Sequence, residues 1–81
     1  MIKASVTVEL RSSDATDVAW HAMSQHGTAT RVKHRVTLEK NLTGSNLLTA
    51  TQQMVHSAQV ILSAEADLYT YTVIGVTAEV L

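Results

Sequence analysis

The chain has 81 residues, 46% apolar and 16% charged, with a formal net charge of −1. This describes one small domain with a single core and little stability to spare. It has no Cys, which excludes disulfides, thiolate metal sites and cysteine nucleophiles, and a near-neutral balance argues by itself for neither nucleic acid nor an acidic ligand.

With no Phe and no Pro, the core must come from Val, Leu, Ile, Met and Ala, and the aromatic residues are Trp20, Tyr69 and Tyr71. The N-terminal segment MIKASVTVELR alternates instead of forming a secretory apolar run. No window approaches the ~18 apolar residues a membrane span needs. The expectation is a cytoplasmic protein with no membrane contact.

In chain order, Ile2, Ala4, Val6, Val8 and Leu10 alternate with Lys3, Ser5, Thr7, Glu9 and Arg11. That period of two predicts a strand with one buried face. Ser12, Ser13 and Asp14 offer N-cap oxygens, and Ala15, Val18, Ala19, Ala22, Met23 and His26 then form a stripe of helical period. Helix one is predicted over 14–26, with Gly27 as a left-handed residue just past its end. Alternation resumes from Thr28 to Lys40, which reads as one strand with Val32, His34, Val36 and Leu38 on its apolar face. The segment NLTGSN is a turn in which Gly44 can take positive φ, and Ser45 to Leu48 is read as a brief further strand.

Helix two is predicted from about Thr49 to Ala66. Thr51, Met54, Val55, Ala58, Ile61 and Leu62 lie on one side, and Thr49 with Gln52 has capping-box spacing. From Asn41 to Ala64 there is no Lys, Arg, Asp or Glu. A last strand is predicted from Tyr69 to Leu81, with Tyr69, Tyr71, Val73, Gly75, Thr77 and Glu79 sharing the face away from the helices. The order suggests an α+β domain covering 1–81. Two helices lie on one face of a mainly antiparallel three- to four-stranded sheet, in split βαβ (ferredoxin-like) order with a short third strand. The rival, three parallel strands joined by crossovers, fits less well because doubly buried strands read as continuous apolar runs.

Charge is unevenly placed: residues 1–40 carry all six bases for a net +2, and residues 41–81 carry −3. Arg31, Lys33, Arg35 and Lys40 put four bases within ten residues. Alternate positions on a strand repeat every ~6.6–6.8 Å, close to the pitch of phosphates on an extended nucleic acid. The plainer reading is a basic edge strand that discourages unwanted pairing. Trp20 falls at the border of its helix, as either an interface anchor or a cover over the sheet edge. His21, His26, His34 and His56 have no metal-ligand spacing. Asp14/Asp17 and Glu65/Asp67 sit at helix ends, where capping explains them. No Gly-rich phosphate loop or nucleophile–base pair is present, so no catalytic residue, cofactor or metal is assigned and a non-enzyme is favoured.

Two expectations follow. The first is an interaction or assembly module, self-associating or binding a protein partner through its sheet or its charge-free second helix. Its interface residues are Trp20, Gln52, His56, Gln59, Val60, Ser63, Tyr69, Tyr71 and Val73; interface cores are depleted of charge. The second is nucleic-acid binding by Arg31, Lys33, Arg35 and Lys40.

Overall fold

A computed structural model of the chain describes residues 1–64 and 71–81. Its elements are β1 (Ile2–Glu9), α1 (Ser13–Ser24), β2 (Thr28–Val32), β3 (Arg35–Leu42), α2 (Leu47–Ser63) and β4 (Thr72–Val80). The strands form one antiparallel sheet in the order β2-β3-β1-β4. Both helices cover the same face, α1 over β2 and β3, α2 over β1 and β4. β1 is central, and its even-numbered residues Ile2, Ala4, Val6 and Val8 are all buried, as is Leu10 just beyond it. The other face is left to water, as an antiparallel sheet allows.

Three boundaries differ from the sequence reading, each for a local reason. Residues 28–40 do not make one strand. The chain turns back at Lys33 and His34, with Val32 paired to Arg35 and Lys33 in the left-handed region at φ 55. No Gly or Asn marks this turn, so alternation runs through it unbroken. The third strand is therefore not a short one at 45–48 but the eight residues of β3, paired along its length with β1. Residues 45–48 instead lead into α2, which begins two residues before Thr49. Asn46 is the N-cap, its Oδ1 accepting from the Thr49 amide at 3.1 Å, where Thr49 was expected to cap.

α1 is capped by Ser12, whose Oγ accepts from the Ala15 amide at 3.1 Å. Its buried side is rotated from the expected stripe: Thr16, Ala19 and Met23 are buried, whereas Val18 and His26 are exposed. Thr16 can be buried because its hydroxyl donates to the Ser12 carbonyl at 2.6 Å, which removes the cost of an unpaired polar group. Gly27 is not a left-handed cap, and Gly44 is the glycine with positive φ, at 107°. A Cβ on Gly27 would lie 2.6 Å from the Glu39 carbonyl oxygen, so this position is glycine for close approach of two backbones.

β4 carries an irregularity that changes its faces. Thr7 pairs with Gly75 but Val8 pairs with Val73, which leaves Ile74 as an extra residue in a β-bulge. One added residue inverts the alternation. Val76 and Ala78 pack on the core beyond the bulge, and Tyr71 and Val73 pack on it before the bulge. The expected placement of Tyr71 and Val73 on the open face is thereby corrected. The expected end of α2 near Ala66, the start of the last strand at Tyr69 and the acids Glu65 and Asp67 lie outside the described residues.

Candidate functional site

The open sheet face is hydroxyl-rich. Thr30, Thr37, Thr7 and Gly75 make one cross-strand row, and Thr28, Glu39, Ser5 and Thr77 make the next. Thr7 and Thr37 share a hydrogen bond of 2.8 Å. Opposite charges meet on the same face, Arg35 Nε with Glu9 Oε2 at 3.1 Å and Lys3 Nζ with Glu39 Oε1 at 3.6 Å. With Tyr71 turned inward, no described aromatic residue offers a base a stacking platform on this face.

The four bases expected to form a strip are separated by the turn at 33–34. Arg31 pairs across from buried Val36, so it lies on the helix-covered face. There its guanidinium forms an ion pair with Asp17 of α1 and donates to the carbonyls of Ser13 and Lys33. Lys33 is at the hairpin tip, Arg35 is on the open face, and Lys40 is near the far end of β3, opposite Ala4. A single polyanion strand cannot lie along all four. Three of them nevertheless meet at one end of the molecule, around a surface cavity of about 1270 Å³ whose lining includes Arg11, Arg31, Lys33, His34 and Arg35. From its spacing alone Arg11 is an outward residue of the first strand. The hairpin turn brings it here, and the Leu10 amide fixes the tip by donating to the His34 carbonyl at 2.8 Å.

Trp20 is half-buried, and its Nε1 donates to the Ala29 carbonyl on edge strand β2 at 3.1 Å. It thus lies over the sheet edge, the second of its two sequence readings. His34 is exposed at the turn instead of sitting on an apolar strand face, with Nε2 3.4 Å from Ser13 Oγ. Among the described residues no three His, Cys, Asp or Glu gather in a metal-ligand set.

The outward side of α2 is as the sequence predicts. Gln52, His56, Gln59, Val60 and Ser63 are all exposed, while Ala50, Met54, Ala58, Ile61 and Leu62 are buried. Leu48, 69% exposed, and Val60, 56% exposed, add apolar area to a surface with no formal charge. No described helix is long and apolar enough to cross a membrane. No family model, curated protein or solved structure matches the chain.

Proposed function

We propose that this protein is a non-enzymatic interaction module that self-associates through the outward face of α2. The observation that carries the reading is a 17-residue helix whose exposed side has amides, hydroxyls, one His and apolar residues but no charge. Water-facing helices usually carry Lys, Glu and Arg, and interface cores shed them. A helix of this length runs about 25 Å and is ~10 Å wide. Its face alone offers less than the about 800 Å² per partner of a standard interface, so the association is weak. The sheet contributes less to this reading, because Tyr71 and Val73 pack inward and the open face is hydroxyls and ion pairs.

Light scattering after size exclusion, over about 10 µM to 1 mM, covers the range in which a weak dimer becomes populated. Mass should rise with concentration, and Val60→Asp should hold it at the monomer value. A monomer throughout for the unmodified chain sinks the self-association reading.

We also infer the split βαβ, ferredoxin-like layout. Two features support it: each helix joins parallel strands separated by one antiparallel strand, and from the β4 edge the order runs β4-β1-β3-β2. Folds of that kind host unrelated functions, so the layout assigns no activity.

A further inference from the structure

The geometry points to a phosphomonoester-binding site in the cavity at the β2–β3 hairpin tip, with Arg11, Lys33 and Arg35 as the groups that hold the phosphate. This is independent of self-association through α2, which lies on other residues.

Four of the chain's six bases, Arg11, Arg31, Lys33 and Arg35, line this cavity, and His34 lines it too. Their states of engagement divide the labour. Arg31 is occupied by Asp17 and by two carbonyls, so it braces the hairpin against α1. Arg35 gives Glu9 only its Nε, and among the described residues its two terminal nitrogens have no partner. Arg11 and Lys33 are exposed and have no ion-pair partner among the described residues. Lys33 is held at a positive φ in a turn pinned by the Leu10 amide, so its backbone is already placed and only its side chain must be ordered on binding. A doubly charged phosphate accepts charge-assisted hydrogen bonds from such a set, with the guanidinium supplying paired donors.

The size and remaining lining narrow the class. At about 1270 Å³ the cavity exceeds a bare ion, and Leu10 and Val32 give it aliphatic wall. Among the described residues no aromatic side chain lines it, so the described wall offers a nucleobase no stacking. A phosphate ester with a non-aromatic body, such as a sugar phosphate, suits this described lining. An extended nucleic acid fits less well, because the next base along β3, Lys40, lies five residues from Arg35, about 17 Å away along the strand.

Calorimetric titration of the full chain with a hexose 6-phosphate tests this, with the unphosphorylated hexose and 5′-hydroxyl and 5′-phosphorylated oligonucleotides as comparisons. The phosphate ester should bind with a Kd on the order of 1 mM or tighter, and the plain hexose should give no heat. Arg11→Gln and Lys33→Asn should each weaken binding about fivefold or more, as losing a charge-assisted contact does. Asn tolerates the left-handed backbone at 33, and unfolding midpoints check that both variants are folded. Lys40→Gln, remote from the cavity, should leave affinity within about twofold. Tighter binding of the 5′-phosphorylated than of the 5′-hydroxyl oligonucleotide supports terminal-phosphate recognition with a nucleic acid as its source. The proposal is overturned if no phosphorylated probe binds, if Lys40→Gln loses as much as Lys33→Asn, or if both oligonucleotides bind equally.

Discussion

The two helices sit side by side on one sheet, and toward the core they are alike. α1 buries Thr16, Ala19 and Met23, and α2 buries Ala50, Met54, Ala58, Ile61 and Leu62, small residues interleaved with long flexible ones. Toward water they differ. α1 shows Asp14, Asp17 and His21 and is tied to β2 by the Asp17–Arg31 pair, whereas α2 shows no Asp, Glu, Lys or Arg along its length and a single His, His56. Burial settles where a helix lies, and the exposed side settles what it can touch. The two are chosen separately, so a difference confined to the exposed side is informative about function.

The largest expected effects test the likeness inside. Met23→Ala and Met54→Ala should each cost about 2–5 kcal/mol in urea unfolding, since both side chains are fully buried. Values differing by more than about 3 kcal/mol would mean the helices do not share one close-packed core. Next comes the link from α1 to the sheet. Gly27→Ala should lose about 1–3 kcal/mol because its Cβ must displace the Glu39 carbonyl; an unchanged midpoint would contradict the close approach.

The outward difference is sharpened by a matched pair. Val60→Asp on α2 should weaken association tenfold or more, about 1.4 kcal/mol, while lowering monomer stability by under about 1 kcal/mol. Val18→Asp on α1, at a residue 40% exposed, should leave association unchanged. Equal effects on oligomer mass would remove the distinction between the two faces. The smallest effect belongs to the charged side. A double-mutant cycle on Asp17 and Arg31 should give a coupling of about 0.2–1 kcal/mol that shrinks with added salt, as half-exposed ion pairs do.

Strong periodicity was legible from the residues. β1, the buried Met54, Ala58, Ile61 and Leu62 of α2 and the uncharged row Gln52, His56, Gln59, Val60 and Ser63 follow directly from spacings of 2 and 3.6, whereas Ala50 is buried and the expected Thr51 and Val55 are only half-buried. What escaped were places where the chain changes direction or parity without a marker residue. Lys33 and His34 turn the hairpin with neither Gly nor Asn, so two strands read as one and a false third strand was needed at 45–48. The extra residue Ile74 inverts the alternation of β4, which no count of apolar positions reveals, since Val73 and Ile74 are equally apolar. The cluster at the cavity stayed hidden for the first of these reasons. Arg11 is twenty or more residues from Arg31, Lys33 and Arg35, and only the turn between β2 and β3 gathers them.

That extra residue also bears on how the protein behaves when concentrated. β4 is an outer strand of nine residues with no Pro, Lys or Arg and one acid, Glu79, a composition prone to fibre growth. Fibres propagate by stacking strands whose side chains keep one unbroken in-and-out order over about six or seven residues. At Ile74 that order reverses, and Gly75 beside it supplies no side chain for a neighbour to lock against. An incoming strand would match one side of the kink and mismatch the other. Deleting Ile74 would restore an unbroken ladder with β1 and remove this protection. The shortened chain should therefore turn thioflavin-positive on concentration, under conditions in which the 81-residue protein stays clear.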